Sequence, residues 1–353
     1  MKTRAVALLF GFSLAGFAAE PSAASREAAL VQSPPRKVVV ATVCTWLGGQ
    51  LGADERAAAI DRLLAESAAE AARRFPGAGL DLFVLPEGAL RRPGATAGEK
   101  ALRLDDPVVR RVAALAARQK TWVVLPMILR EDAAGRTSFS NAAVLLDRAG
   151  RVAGIYRKTH PTADAAGVFE HGVTPGRDYP VFTTDFGQLG LQICWDMAYD
   201  EGWAALAAAG AELVALPSMS PQNLPLAEHA RRHRYWIVSG TPRDNAAVFN
   251  PAGFIDAQVT KPGVLVHRFD LVSAVVHWSA TLEDGRAFQR RFGARGGFVW
   301  SAREDTGLFW SNDPATPVGA MLRELGLETM DAQVARIGGE LTRDRRLPTP
   351  PVR

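Results

Sequence analysis

Apolar positions recur along this chain with two periods, and the changes between them lay out its architecture. KVVVATVCTW, starting at Lys37, is a continuous β-branched and apolar run, the pattern of a buried strand. In the next segment Ile60, Leu63, Leu64, Ala68, Ala71 and Phe75 repeat at helical spacing with charges opposite, and Pro76-Gly77 end it. DLFVLPEG reads as a second short strand. DDPVVRRVAALAARQK reads as a second helix, with Pro107 near its first turn and Lys120 in its last. TWVVLPMIL is a further strand.

The rhythm then changes. SFSNAAVLLDRAGRVAGIYRKTH predicts two strands joined by the turn at 147–150. A loop rich in Gly, Pro and Asp runs from Pro161 to Pro180, and VFTTDFGQLGLQICW gives two more strands around Gly187. Helix DEGWAALAAAGA leads into strand ELVALPS, helix LPLAEHARRHRY into WIVSG, and AAVFNPAGFI and GVLVHRFDL follow as strands. Strands alternating with helices at both ends, and hairpins between, predict an α/β layered protein. After about Ser279 the pattern weakens, and a segment lacking the core for independence is expected to pack on the main domain or on a partner subunit.

The first residues follow a different logic. Lys2 and Arg4 precede an apolar run from Ala5 to Phe17, with small residues and Pro21 after it, which is the three-part layout of a secretory signal. The run is too short to span a bilayer comfortably, and no cysteine lies near it to take a lipid. The expected organisation is therefore a signal at 1–24, a linker at 25–36, one catalytic domain at 37–278 and an extension at 279–353. The expected location is secreted or periplasmic, without stable membrane insertion.

Composition changes this picture little. The 353 residues are ample for a large core, and 41 Lys+Arg against 37 Asp+Glu leave a small, interspersed excess of positive charge. The Arg286, Arg290, Arg291 and Arg295 cluster carries only Phe288 and Phe292 as aromatics, so a nucleic-acid groove is not expected. Only Cys44 and Cys194 are present. Two cysteines make no disulfide scaffold, so one is read as a working thiol and the other as a core residue.

Three polar residues stand where apolar strands stop: Glu87 ends LFVLPE, Lys158 ends GIYRK, and Cys194 ends LGLQIC. Sites in layered α/β proteins gather at such strand ends, where the chain leaves the core and opens a crevice. Acyl transfer from an amide needs a nucleophile, a proton shuttle and an oxyanion stabiliser. A cysteine, a carboxylate and an ammonium supply all three with no metal and no cofactor. The ammonium is also expected to favour the thiolate.

LPEG, YRKTH and ICWD, in this order, resemble the three signatures of the nitrilase superfamily, or carbon–nitrogen hydrolases, over about Lys37 to Val276. Glu170 in GVFEHGVTPG resembles the second glutamate of such enzymes, and GAELVALPS, AEHARRHRYWIVSG and Glu201 fit as well. The resemblance implies Glu87 as general base and acid, Cys194 as nucleophile, and Lys158 with the N–H of Trp195 as oxyanion donors. It implies that Glu170 orients Lys158 and the substrate, in a four-layer αββα sandwich that forms at least a homodimer. Ala198, Asp200 and Ser239-Gly240 depart from the pattern and leave the pocket open to question. The substrate implied is a small amide or carbamoyl amide; Cys-Trp-Asp in place of Cys-Trp-Glu sets a nitrile second.

Other readings fit less well. A papain-like protease places its cysteine near the mature N-terminus with a histidine downstream, and no histidine follows His277. A metal site from His160, Glu170 and His171 matches no ligand spacing, and no G-x-S-x-G elbow offers a serine nucleophile. A binding protein that kept the fold and lost activity is the main non-enzyme reading, and retention of all four polar positions weighs against it.

Overall fold

The computed structural model describes residues 32–48, 51–133 and 135–344; the signal-like segment and the last nine residues lie outside these. Two six-stranded sheets form the centre. The first has the order β12-β1-β2-β3-β4-β5 and the second β11-β10-β9-β8-β7-β6. In the first, β1 (Lys37–Cys44), β2 (Leu82–Val84) and β3 (Trp122–Ala133) run parallel. On one side β4 (Arg136–Leu146) pairs antiparallel with β3 and β5 (Val152–Arg157) antiparallel with β4, and on the other β12 (Gly263–Asp270) pairs antiparallel with β1. The second repeats this plan. Parallel β7 (Gln188–Leu191), β8 (Leu213–Pro217) and β9 (Trp236–Gly240) lie between β6 (Val181–Thr183) and the pair β10 (Ala246–Phe249) and β11 (Ile255–Val259).

Side-chain alternation along each strand builds the layers. Val39, Ala41 and Val43 of β1, with Val123, Leu125 and Met127 of β3, face helices α1 (Ala53–Arg74) and α2 (Pro107–Gln119) through Ile60, Leu64, Val112 and Leu115. The intervening Val38, Val40 and Val124 face the other way. There they meet Leu189, Leu213, Ala215 and Val238 of the second sheet. Val214, Leu216 and Ile237 point to the far side, where α3 (Asp200–Ala208) and α4 (Asn223–His233) cover them with Trp203, Leu206, Leu226 and Ala230. The result is the expected αββα stack. Continuous apolar runs in the parallel strands follow from burial on both faces.

At the carboxyl ends of the parallel strands the two sheets close on each other. Thr42 Oγ1 donates to Ser239 O at 2.8 Å, and the Thr241 amide to Val43 O at 3.1 Å. A Cβ at Gly240 would stand 2.9 Å from the Leu85 backbone, so this close approach requires glycine. The unusual Ser239-Gly240 pair is thus a packing device of the sheet-to-sheet junction.

The C-terminal segment carries more core than its sequence pattern predicts. β13 (Ser273–His277), β14 (Gly296–Ser301) and β15 (Thr306–Ser311) form a third sheet in the order β13-β15-β14. With α5 (Arg286–Phe292) and α6 (Val318–Glu324) it encloses Val276, Leu282, Phe288, Phe309 and Met321 in a cluster of its own. The boundary drawn at 278/279 therefore falls inside this unit, which begins by β13. Its core comes from residues far apart in sequence, such as Val276, Phe309 and Met321, so no local period announces it. The last helix, α7 (Met330–Asp344), follows. Among the described residues no helix is long and apolar enough to cross a membrane.

Candidate active site

The three strand-end residues picked out in the sequence come together in one cleft, and Glu170 joins them. Glu87 leaves β2 beyond Pro86, and Cys194 leaves β7. Lys158 keeps the phase of Tyr156 on β5, two residues earlier, so it too turns toward the space between the sheets. Lys158 is 2% exposed, and its Nζ donates to Glu87 Oε1 at 3.0 Å and to Glu170 Oε1 at 2.5 Å. Glu170 sits in a tight loop with left-handed backbone (φ 36°). Its amide donates to Thr162 O at 3.0 Å, and its carboxylate accepts from the Thr162 amide at 3.2 Å.

One residue of this network was not singled out in the sequence. Asn141 Nδ2 donates to Glu87 Oε1 at 2.7 Å and to Glu170 Oε2 at 2.8 Å, tying the two carboxylates together around the ammonium. Its signal was present: Asn141 shares the phase of Ala143 and Leu145, which face the inter-sheet core, so a strand presents an amide where alternation demands an apolar group.

Cys194 itself has φ 47°, a left-handed conformation that costs a non-glycine residue about 1–2 kcal/mol. Asp196 holds this turn. Its carboxylate is fully buried and accepts from the Ile193 amide and the Tyr156 hydroxyl through Oδ2, at 2.9 and 2.8 Å. Oδ1 accepts from the His160 amide at 2.9 Å and the Thr159 hydroxyl at 3.1 Å. Asp196 therefore faces away from the cleft and locks the turn, so it is a framework residue rather than a reader of substrate. His160 lies on this back side, bonded to Asp196 and Glu201, while His171 lines the cleft; the two do not converge with Glu170 on a metal. Glu201 accepts from the Tyr179 hydroxyl at 2.5 Å and lies outside the cleft lining.

Replacing Asp196 by Ala strands four donors, each worth about 1–3 kcal/mol when buried and unpaired. Denaturant unfolding should show a loss of at least ~3 kcal/mol, and less would place the turn's support elsewhere. The same variant should lower the pKa of His160, which the Asp196 hydrogen bond holds above its ordinary value.

The electrostatics oppose the simplest reading of a lysine beside a cysteine. Burial and the neighbouring Glu87 carboxylate push the Cys194 thiol up to about 12, although Lys158 pulls it down. Burial is the larger cause, because a thiolate loses its hydration in the closed cleft, and the Glu87 carboxylate adds to it; together they outweigh the Lys158 ammonium. At neutral pH Cys194 is a thiol, and its proton must leave as the sulfur attacks. Both cysteines are free; Cys44 is buried in β1.

These residues line a cleft of about 450 Å³ between the strand ends, with Trp46, Ile128, Met219 and Pro242 among its apolar walls. The Trp195 side chain is exposed and is not among the residues that line the cleft, whereas the more exposed Trp46 is.

Comparison with known proteins agrees with this fold. The family model described as carbon-nitrogen hydrolase matches residues 28–231. An N-carbamoylputrescine amidase of Arabidopsis thaliana is 33% identical over 133 residues, 36% of this chain and 43% of the relative. A deaminated glutathione amidase of Yersinia enterocolitica is 28% identical over 151 residues, 40% of this chain and 52% of the relative. The chain thus spans about half or less of the length of the curated relatives it matches. Among solved structures, Nit3 of Saccharomyces cerevisiae, a member of branch 10 of the nitrilase superfamily, superposes with a TM-score of 0.54 at 19% identity. That match covers 73% of this chain and 95% of Nit3. An amidase of Nesterenkonia sp., with the acetamide moiety of fluoroacetamide added covalently at its active-site cysteine, gives 0.54 at 18%, over 68% and 92%. At these identities the structures establish the fold.

Proposed function

This chain belongs to the carbon–nitrogen hydrolase family, and from that premise we propose that it hydrolyses a small amide or carbamoyl amide through a thioester on Cys194. The observation that carries the reading is Lys158, held by Glu87 and Glu170 inside the cleft onto which the strained Cys194 turn opens. Glu87 takes the thiol proton as the sulfur attacks the carbonyl carbon. The oxyanion that forms meets the Lys158 ammonium and the N–H of Trp195. Glu87 then passes its proton to the nitrogen, the C–N bond breaks, and ammonia or an amine leaves. Water repeats the sequence against the thioester: Glu87 takes its proton, the C–S bond breaks, and the sulfur recovers a proton as the acid departs. Glu170 and Asn141 act by positioning Lys158 and Glu87.

A panel of amides, ureido acids and nitriles, quenched in acid during turnover and weighed, tests this directly. The expected result is release of ammonia or amine from the first two classes, with an acyl mass on the Cys194 peptide where deacylation is slow. Turnover confined to nitriles would overturn the substrate reading and keep the thiol chemistry.

Export is proposed on the signal-like start of the chain, its Lys2/Arg4 charges and Ala5–Phe17 apolar run. Mass spectrometry of protein from the native host should find a mature start between Ala19 and Arg26. A soluble protein beginning at Met1 would refute it.

A further inference from the structure

Charge in the cleft is unbalanced in a way that the proposed chemistry does not use. Four cationic side chains line it, Lys158, Arg56, Arg91 and Lys100, against two carboxylates, Glu87 and Glu170. Both carboxylates are taken by Lys158. Among the described residues, Arg56, Arg91 and Lys100 make no ion pair.

Arg56 is the most telling of the three. It lies in the first turns of α1 and is 1% exposed. Nε donates to Leu51 O at 3.0 Å and Nη1 to the carbonyl of Leu47, which fixes the guanidinium against the loop after β1. Nη2 is buried and has no partner. An unpaired buried donor on a charged group is costly, and burying the charge without a counter-ion costs more. The strain is visible in its ionisation. Burial, then the neighbouring Arg91, lower the Arg56 pKa to about 10. Burial and Arg91 also depress Lys100, and the nearby Glu99 offsets them only in part. Arg91 therefore stands near both, and three cations crowd one part of the cleft, against their mutual repulsion.

A fold does not gather unpaired cations around a buried guanidinium N–H for stability; an anionic ligand relieves the arrangement by supplying the acceptor and the charge together. We propose that Arg56, Arg91 and Lys100 form a carboxylate subsite, so that the substrate is a small amide bearing a carboxylate remote from its scissile bond. The inference rests on the amidase reading of the same cleft and narrows it. With Nε and Nη1 engaged, Arg56 offers Nη2 alone, so it makes a single charge-assisted hydrogen bond while Arg91 and Lys100 supply charge at the edge. A cleft of about 450 Å³ that also houses the scissile group leaves room for a short spacer.

The test separates binding from turnover. Full-length mature protein carrying Cys194→Ala is titrated calorimetrically with succinamate, glutaramate and adipamate, and with pentanamide as the uncharged counterpart. At least one ω-amide should bind at least ~10-fold more tightly than pentanamide, the value of one charge-assisted hydrogen bond. Arg91→Met and Lys100→Met, both at the cleft edge, should each remove most of that preference. Arg56→Met should remove it entirely, with a thermal melt showing that the variant is folded. Equal binding of charged and uncharged amides, or binding of none, overturns the subsite. Inorganic phosphate, titrated in the same way, binding more tightly than every ω-amide also overturns it, in favour of a phosphorylated ligand. Wild-type turnover is read separately. Hydrolysis of pentanamide with the same kcat/KM as the ω-amides would sink the subsite and spare the amidase reading. Tight, charge-dependent binding with no hydrolysis of any amide would do the reverse.

Discussion

Replacing Cys194 by Ala should abolish turnover and leave a folded protein that still binds substrate. The substitution removes a sulfur from a turn whose shape is set elsewhere, by the Asp196 carboxylate on the Ile193 amide and the Tyr156 hydroxyl. Alanine tolerates the left-handed backbone about as well as cysteine does, since both carry a Cβ. Stability should therefore change little, while covalent catalysis has no substitute: among the residues lining the cleft, no serine or second cysteine is placed to attack. Initial rates with a sensitive ammonia assay, beside a thermal melt, check both halves. Activity retained in Cys194→Ala would end the thioester mechanism.

Glu87→Gln should separate ionisation from catalysis. Removing the carboxylate removes the one group that, beside burial, raises the thiol, so the Cys194 pKa should fall from about 12 and alkylation by iodoacetamide at pH 8–9 should speed up. Turnover should nevertheless drop by ~10²–10⁴-fold, the usual loss with a general acid–base group. A more reactive thiol in a slower enzyme is the signature of a residue that moves protons, and a purely structural role for Glu87 would not produce it. The substitution also takes away one of the two negative charges that face Lys158. Glu170 remains as its carboxylate partner, so the ammonium should stay in place. Slower alkylation together with slower turnover would instead mean that the cleft had collapsed.

The opposition between Lys158 and burial shows how far local reading reaches. Glu87, Lys158, Cys194 and Glu170 were legible because each follows an apolar strand or stands in a motif, and strand periodicity alone gave the layers. That Lys158 fails to make a thiolate was not legible. It depends on how deeply the cleft buries the sulfur and on Glu87 arriving beside it from the end of β2, which only the folded chain arranges.

The same division runs through the rest of the molecule. Sequence by itself determined the strands and helices of the two sandwich halves, because burial on both faces writes continuous apolar runs and amphipathic helices write a period of their own. It singled out the residue types to which the proposed chemistry is assigned. Tertiary structure alone decided the roles of Asp196, which a motif reader assigns to substrate and the fold assigns to the turn at Cys194, and of Gly240, fixed by the approach of Leu85 across the sheets. It alone built the third sheet, whose core joins residues scattered from Val272 to Leu327, and alone left Arg56, Arg91 and Lys100 lining one cleft without an ion pair among the described residues. Periodicity is a property of neighbours in the chain, whereas charge balance and close approach are properties of neighbours in space.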